Sequence, residues 1–409
     1  MDLQTELNQV RWYIAGLLFL SSVINYVDRQ VLSVVAPVLT KELGITPMGY
    51  ANILQAFLIP YTLMYVGSGL LVDRWGAKKA LAIFMAWWSS ANMLHGFAQG
   101  ALSLAFYRGL LGIGEPGNFM AGFRAISEWY SPKEKAFVNG LLNGGAAVGA
   151  IVAPPLVAWL SISYGWRMAF VATGALGFVW LAAWMWVVPR AEAPASVTVK
   201  EPWLKLLAQR ETWSLLLPRF VSDPVWWFYL LWLPKYLADQ RGFSLRDIGM
   251  LAWMPYLAAD LGALSGGLLS GWLVKRGMPV VRARALGMWP FTLLMPLSLL
   301  IPGASTTVAL GIICLVAFAH MAWKTNLQTV TNDIFPLRVV GSVSGIIAFG
   351  SGLGGSLFTS LTGWVVQTFS YDAIFYIMGF LHPVAYVIFR VMLKERFPNE
   401  PQLEIGKLS

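Results

Sequence analysis

Long apolar runs, separated by short polar segments, make up most of the sequence. A membrane-spanning helix needs about 20 predominantly apolar residues, and twelve runs reach this length. They lie at roughly residues 12–39, 49–72, 78–98, 101–123, 136–160, 166–188, 219–240, 247–272, 281–301, 304–330, 340–366 and 372–394. We therefore predict an all-α membrane protein with twelve transmembrane helices.

A mostly polar segment at residues 190–218 separates six of these runs from the other six. The two halves are weakly similar in the same orientation, an arrangement that in transporters places the substrate near the bilayer midplane between two bundles. We predict an N-terminal six-helix bundle at residues 1–189, a cytoplasmic central loop at 190–218 and a C-terminal six-helix bundle at 219–409.

Polar and charged residues interrupt the first and fourth runs. The first run contains Asn25, Asp28 and Arg29, and the fourth contains Arg108 and Glu115, which are seven residues apart and share nearly one helix face. A charge at the bilayer centre costs about 2.5–3.5 kcal/mol on insertion scales, so it must face protein or a water-filled cavity. These residues either hold helices together as an ion-pair network or form a transport site. We favour the transport site, because charges at this depth usually mark one.

A polar stripe follows the tenth run, with His320, Lys324 and Gln328 at every fourth position and Thr325 beside Lys324. Because such a stripe is unstable in lipid, we expect it to line a cavity. Lys324 either binds the substrate or pairs with Asp260, a charged residue in the eighth run.

Composition and charge narrow the class of protein further. The chain is 57% hydrophobic and 12% charged, and its mean hydropathy of +0.62 excludes a soluble globular protein. With both termini inside, 20 of the 29 Lys and Arg residues fall in cytoplasmic segments and 5 outside, which predicts cytoplasmic termini. The net charge of +9 then anchors the protein to a negatively charged leaflet, and no basic and aromatic cluster indicates nucleic-acid binding.

The sequence offers little for metal or cofactor chemistry. Its three histidines lack metal-ligand spacing, and the single Cys314 excludes an intramolecular disulfide. Two Gly-x-Gly-x-x-Gly strings, at residues 112–117 and 350–355, follow no strand, so we interpret them as sites of helix packing. Gly145 and Gly149 are interpreted in the same way. We predict no metal, no cofactor and a monomer in the cell inner (plasma) membrane.

Residues 69–79 carry a motif, Gly-Leu-Leu-Val-Asp-Arg-Trp-Gly-Ala-Lys-Lys. This string resembles G-x-x-x-D-R-x-G-x-[RK]-[RK], the signature of the major facilitator superfamily, at its usual place between the second and third spans. The resemblance implies two six-helix bundles and a cytoplasmic latch at Gly69, Asp73 and Arg74. In such a latch, glycine allows close helix approach and Asp73 accepts hydrogen bonds at a neighbouring helix N-terminus.

The segments Asn25 to Arg29 and Arg108 to Glu115 resemble a branch of that superfamily, the anion:cation symporter family, which includes bacterial sugar-acid/proton symporters. The resemblance implies that Arg29, with Asn25 beside it, binds a substrate carboxylate. It makes Asp28 and Glu115 the proton-coupling acids, with Arg108 as a partner that shifts between them. A guanidinium suits the first role because it offers parallel hydrogen bonds to a carboxylate and keeps its charge.

Three aromatic residues complete the predicted substrate site. Tyr61 matches a position where the family places a substrate-contacting tyrosine, although a packing role is equally compatible with the sequence. Trp226 and Trp227 lie in a seventh span that resembles hexuronate transporters, and an aromatic face suits the apolar side of a pyranose ring. The predicted substrate-binding residues are Asn25, Arg29, Tyr61, Trp226, Trp227, Lys324, Thr325 and Gln328.

Together these patterns predict a proton-coupled secondary transporter that imports a sugar-acid monoanion, a hexuronate such as glucuronate or galacturonate, by alternating access. A symporter of another organic anion, such as a hexonate or dicarboxylate, is the alternative within transport. A transport-silent nutrient sensor is a second alternative. An enzyme is not predicted, because no serine-base pair, metal cluster or phosphate loop is present.

Overall fold

The computed structural model of the chain describes residues 3–189 and 203–393, so most of the predicted central loop lies outside the described residues. Within these two ranges the chain forms α-helices joined by short turns, two 3₁₀ segments (His95–Phe97 and Met295–Leu300) and no strand. The helices are α1 (Leu3–Glu42), α2 (Pro47–Trp75), α3 (Ala77–Leu94), α4 (Ala101–Gly114), α5 (Gly117–Trp129), α6 (Pro132–Tyr164), α7 (Trp166–Val187), α8 (Trp203–Leu207), α9 (Arg210–Ser222), α10 (Pro224–Leu231), α11 (Leu233–Arg241), α12 (Leu245–Leu251), α13 (Met254–Lys275), α14 (Val280–Leu294), α15 (Thr306–Ile334), α16 (Leu337–Thr368) and α17 (Tyr371–Met392).

Eight helical segments of the described chain are long and apolar enough to cross a membrane. A ninth is added if Pro47–Tyr65 and Gly67–Trp75, the two parts of α2, count as one bent span. The third, fourth and seventh predicted spans are not in this set. An all-α membrane architecture is therefore confirmed, whereas the count of twelve spans and the cytoplasmic termini stay predictions.

Helix breaks explain why two predicted spans are missing from the set. The fourth span was predicted as one run over residues 101–123, but α4 ends at Gly114 and α5 begins at Gly117, so the helix is interrupted at Glu115 and Pro116. The seventh, predicted over residues 219–240, consists of α9, α10 and α11. α9 already begins at Arg210, inside the predicted central loop.

Packing divides the described chain into two compact units. The first contains residues 3–189, 227–257 and 355–374, and the second contains residues 203–226, 258–354 and 375–393. This division cuts the seventh, eighth, eleventh and twelfth predicted spans in two. It thus differs from the predicted boundary at residues 190–218, and the arrangement in two six-helix bundles stays a prediction.

Glycines permit the closest helix contacts in the first unit. A Cβ added at Gly145 of α6 would lie 2.2 Å from the carbonyl oxygen of Phe19 on α1, and one at Gly112 of α4 would lie 2.4 Å from that of Phe57 on α2. Only glycine allows backbones to approach this closely. The packing interpretation of these two positions is confirmed.

The two later segments of the first unit pack against its N-terminal helices. The Tyr50 hydroxyl donates a 2.8 Å hydrogen bond to the carbonyl oxygen of Leu231, and the Gln55 amide donates one of 2.7 Å to the Ser360 hydroxyl. These bonds join α2 to α10 and to α16.

The second unit uses the same close contacts. Cβ atoms at Gly262 and Gly266 of α13 would lie 2.0 and 2.3 Å from the carbonyl oxygens of Phe318 and Ala322, so α13 and α15 touch through their backbones. A Cβ added at Gly350 of α16 would lie 2.7 Å from the Leu216 side chain of α9. The packing interpretation of the second glycine string is confirmed at this position.

A surface cluster holds the start of α6. The Glu134 carboxylate accepts hydrogen bonds from the Ser131 hydroxyl and backbone N–H and from the Arg11 guanidinium. These bonds, that of the Ser131 hydroxyl above all, hold the pKa of Glu134 below its usual value.

Candidate functional site

Asn25, Arg29, Tyr61 and Glu115 form one buried group, which we call the Arg29 cluster. Arg29 is 2% exposed and Glu115 0%. The Nε and Nη2 atoms of Arg29 both contact Oε2 of Glu115, at 2.8 and 2.7 Å. Nη2 also donates to the Tyr61 hydroxyl at 2.9 Å and to Oδ1 of Asn25 at 3.3 Å. Three of the predicted substrate ligands and one predicted coupling acid therefore meet in one place.

Aromatic rings surround the guanidinium of Arg29. Its Cζ atom lies 4.6 Å from the ring centre of Tyr26, 4.7 Å from that of Tyr61 and 5.8 Å from that of Phe57. Cation–π attraction of this kind is strongest away from water. The rings hold the guanidinium in place while leaving its hydrogen-bonding edge to polar acceptors.

The break after α4 positions Glu115. Because the helix stops at Gly114 and Pro116 cannot donate a backbone hydrogen bond, Glu115 sits at the turn between α4 and α5. Its backbone carbonyl accepts a 3.4 Å hydrogen bond from the Asn25 amide, and its Oε1 atom has no hydrogen-bond partner among the described residues. The side chain is thus fixed through a single oxygen.

Asp28 occupies a separate environment, although it adjoins Arg29 in the sequence. It is fully buried, and its Oδ1 atom accepts a 2.7 Å hydrogen bond from Asn92, which also bonds with Thr173. Its Oδ2 atom has no hydrogen-bond partner within the described ranges, and no cation lies within ion-pair distance there. A buried carboxylate without a cation is costly when charged, so this position suits a group that takes up a proton.

Arg108 does not pair with either acid in this conformation, and its role as a partner that shifts between them stays a prediction. Its Nη2 atom donates to the backbone carbonyl of Arg29 at 3.1 Å, and its guanidinium lies 5.5 Å from the centre of the Phe57 ring. Its Nε atom has no hydrogen-bond partner in the described part of the chain. The ion pair with Glu115 is made by Arg29 instead, because Arg29 presents two N–H groups to the same oxygen.

A second polar group lies in the other unit and is called the Lys324 cluster: Arg219, Asp223, Trp226, His320, Lys324 and His382. Arg219 and Asp223, one turn apart, form a 2.5 Å ion pair, and the Ser351 hydroxyl donates to the same oxygen of Asp223. The Lys324 ammonium lies 5.9 Å from the ring centre of Trp226, in the field of Asp223 and Arg219.

Lys324 has no ion pair within 4 Å in the described residues, and Asp260 has none either. Lys324 and Asp260 therefore do not form an ion pair in this conformation. The acid near Lys324 is Asp223, whose carboxylate is already bonded to Arg219 and Ser351.

The other predicted ligands in the second half have different surroundings. Thr325 packs near Gly267 of α13, and Gln328 is exposed. Trp226 stacks on His320 at 6.0 Å with an interplanar angle of 4°, whereas Trp227 packs edge-on against Tyr61 at 6.3 Å in the first unit. The two tryptophans therefore have different neighbours, and their part in substrate binding stays a prediction.

The charged residues of the predicted cytoplasmic latch lie on the surface. Asp73 and Arg74 lie exposed in the last turn of α2. A Cβ added at Gly69 would meet no atom within 4 Å, so the close helix approach expected there is absent. Glycine is required instead at Gly76, whose φ of 74° forms the turn between α2 and α3. A latch role for Asp73 stays a prediction.

Sequence analysis missed several residues of both groups. Asn92, the hydrogen-bond donor to Asp28, is a neutral polar residue in an apolar run and gives only a weak signal. Arg219 and Asp223 gave a clearer one, because an acid and a base four residues apart can pair on a helix. His382 lacked any local signal, since its partner His320 is 62 residues away.

Comparison with known proteins identifies the family. The profile of the Major Facilitator Superfamily matches residues 18–359. The chain therefore belongs to the major facilitator superfamily. It is a multi-pass membrane protein, and the prediction of a transporter rather than an enzyme is confirmed by the family and by the relatives of this facilitator.

Two relatives and one solved structure illustrate the similarity. The hexuronate transporter of Escherichia coli K12 is 30% identical over 98% of this chain and 97% of its own. The galacturonate transporter of Dickeya chrysanthemi is 33% identical over 64% of this chain and 82% of its own. The fold matches that of a bacterial homolog of the human lysosomal transporter Spinster in an inward-facing and occupied conformation. That match has a TM-score of 0.76 and 19% identity and covers 96% of this chain and 99% of the other.

Proposed function

We propose that this facilitator is a proton-coupled secondary transporter that imports a sugar-acid monoanion, specifically a hexuronate such as glucuronate or galacturonate. The observation that carries the proposal is the buried ion pair of Arg29 and Glu115, with Asn25 and Tyr61 at the same guanidinium. The names of the two relatives, a hexuronate and a galacturonate transporter, support the substrate class.

Coupling follows from competition for Arg29. A substrate carboxylate needs the N–H groups that Glu115 now occupies, so Glu115 must leave before the substrate can bind in the same way. Protonation of Glu115 removes the charge that holds it to the guanidinium. A proton on Glu115 and an anion on Arg29 therefore favour each other, which is the requirement for symport.

Asp28 supplies a second acid. A single proton per monoanion makes the cycle electroneutral, whereas a second proton carried by Asp28 would add about 2.3 kcal/mol of driving free energy per 100 mV of membrane potential. The isolated, buried position of Asp28 supports a proton-carrying role. We further propose twelve spans with cytoplasmic termini, a location in the inner membrane and a monomeric transporter.

A dicarboxylate is a second candidate substrate, favoured by one observation. Lys324 is a cation without an ion pair among the described residues, so it could hold a second carboxylate.

Uptake by purified protein in proteoliposomes tests these proposals. Labelled glucuronate should accumulate when an inward proton gradient is imposed and should only equilibrate without it. Unlabelled hexuronates, hexonates and dicarboxylates then compete for that uptake, and hexuronates should compete best. Stronger competition by dicarboxylates would show that a dicarboxylate, and not a hexuronate, is the substrate. Equal accumulation with and without the proton gradient would refute proton coupling.

A further inference from the structure

Two histidines of the Lys324 cluster form a buried pair. Nδ1 of His320 on α15 lies 3.0 Å from Nε2 of His382 on α17, and both side chains are 0% exposed. The outer nitrogens, Nε2 of His320 and Nδ1 of His382, have no hydrogen-bond partner among the described residues. Histidines inside a membrane bundle are rare and tend to mark ion or proton pathways.

The geometry defines where protons can sit. A 3.0 Å contact between two ring nitrogens requires one N–H between them, so one histidine donates and the other accepts. When both rings are neutral, the accepting ring carries its own proton on its outer nitrogen, and the donating ring has a bare outer nitrogen. One further proton can bind that bare nitrogen and convert the pair into a single imidazolium hydrogen-bonded to a neutral ring.

The charges around the pair decide when this proton can bind. On α9, Arg219 and Asp223 cancel each other in a 2.5 Å ion pair. On α15, Lys324 lies one turn from His320 and has no ion pair with any described residue. With neutral histidines the cluster therefore has a net charge of +1. A proton on the pair would raise the charge to +2 inside a bundle, which is unfavourable unless an anion is present.

Within the described ranges, neighbouring helices add no charge at hydrogen-bond distance from the pair. Asp260 on α13 forms no ion pair in the described residues, and Arg284 on α14 is bonded to Asp333. Tyr386, one turn from His382 on α17, donates to the carbonyl oxygen of Ala285. The net charge of the Lys324 cluster therefore depends on Lys324 and on the protonation of the two histidines.

We propose that the His320–His382 pair is a proton-binding site, distinct from Asp28 and Glu115, that takes up one proton when the substrate anion contacts Lys324. The inference rests on the proposed function, since it needs an anionic substrate. The negative charge brought to Lys324 offsets the charge added to the histidines, so each binding event strengthens the other by the same factor. Trp226 lies beside both partners of this coupling, with its ring centre 6.0 Å from that of His320 and 5.9 Å from the Lys324 ammonium.

Calorimetry of glucuronate binding in buffers of different ionisation heat measures the number of protons taken up. The double variant His320→Asn, His382→Gln keeps amide groups near the two facing nitrogens and removes both titratable rings. It should take up about one proton fewer per anion than the wild type, and its affinity should fall about tenfold at low pH while remaining unchanged at high pH. His95→Asn is the matched control. That histidine is fully buried in the first unit, bonded to the Ala91 carbonyl, and its replacement should not change the proton count.

Nitrogen-15 spectra of histidine-labelled wild-type protein provide a second measurement that needs no variant. The chain has only three histidines, so the signals are few. Adding glucuronate should convert one ring of the pair to imidazolium and leave His95 unchanged. Neutral rings in the bound state, or an unchanged proton count in a double variant that still binds, would overturn the inference. Absence of any hexuronate binding by the wild type would instead refute the proposed function and, with it, the inference.

Discussion

The Arg29 cluster and the Lys324 cluster each contain an arginine bonded to a carboxylate, yet the charge left unpaired differs in sign. In the first, Arg29 is held by Glu115 at 2.7 Å, and the neighbouring Asp28 has no ion pair within the described residues. In the second, Arg219 is held by Asp223 at 2.5 Å, and Lys324 has no ion pair in the described part of the chain.

This difference separates two ways to bind an anion. At Arg29 an anion must replace an internal carboxylate, so binding there is directional and linked to protonation of Glu115. At Lys324 no ion pair with a described residue has to break before an anion binds. Compared with Arg29, the attraction costs less to form, but it is less directional because an ammonium has no fixed pair of N–H groups. We therefore expect Arg29 to decide whether the substrate binds and Lys324 to adjust how tightly.

The largest effect is expected from Arg29→Ala. It leaves both Glu115 and the substrate carboxylate without a guanidinium, and breaking such a buried pair costs about 2–5 kcal/mol, or on the order of 30- to several-thousand-fold in affinity. Arg29→Lys should recover little, because an ammonium cannot place two N–H groups as a guanidinium does. Calorimetric titration with glucuronate measures the loss, and Arg246→Ala, at an exposed arginine, is the control. Near-wild-type affinity in Arg29→Ala would show that the carboxylate binds elsewhere.

Glu115→Gln should separate binding from coupling. The neutral amide no longer competes strongly for Arg29, so substrate affinity should be equal to or higher than that of the wild type. Exchange of labelled for unlabelled substrate should continue, because exchange does not require the empty, deprotonated carrier to return. Accumulation driven by a proton gradient in proteoliposomes should be lost. Wild-type accumulation would exclude Glu115 as an essential coupling residue.

Asp28→Asn offers the contrast at the acid next to the Arg29 cluster. Because Asp28 is bonded to Asn92 and not to Arg29, its neutralisation should abolish gradient-driven accumulation without raising affinity. An affinity increase equal to that of Glu115→Gln would mean that Asp28 also competes for Arg29 in another conformation.

Sequence analysis could find the charged residues in and next to the Arg29 cluster, but it could not find which of them form an ion pair. Asp28, Arg29 and Glu115 stand out because a charge in an apolar run is costly and therefore informative. The Arg29–Glu115 pair joins residues 86 positions apart, and it depends on a helix break at Glu115 and Pro116.

Helix breaks were the least predictable part of the fold. Pro116 and Pro224 lie at breaks, whereas Pro37 and Pro60 lie inside α1 and α2. Proline removes one backbone donor in every case, but neighbouring helices can satisfy the freed carbonyl and keep the helix continuous. Which proline ends a helix is decided by tertiary packing, which the local sequence does not contain.

A moderate effect is expected from Lys324→Ala. Loss of a hydrogen bond to a charged group costs about 1.5–3 kcal/mol, so affinity for a hexuronate should fall on the order of ten- to a hundredfold, less than for Arg29→Ala. Asp260→Asn is the matched control, because Asp260 forms no ion pair with Lys324, and it should leave affinity unchanged. Restored binding in the double variant Asp260→Asn, Lys324→Ala would instead show that the two residues act as a pair.

The smallest effect tests the neutral members of the Arg29 cluster. Tyr61→Phe removes the hydroxyl that accepts a 2.9 Å hydrogen bond from Arg29 but keeps the ring beside the guanidinium. One hydrogen bond is worth about 0.5–1.5 kcal/mol, so affinity should change by roughly two- to tenfold. The direction is informative. If Tyr61 only holds Arg29 in place, affinity falls. If its hydroxyl competes with the substrate for Nη2, as Glu115 does, affinity rises.

Tyr13→Phe, at an exposed tyrosine of α1, is the control for loss of a hydroxyl. An unchanged affinity in Tyr61→Phe would remove Tyr61 from the substrate site and leave it a packing residue.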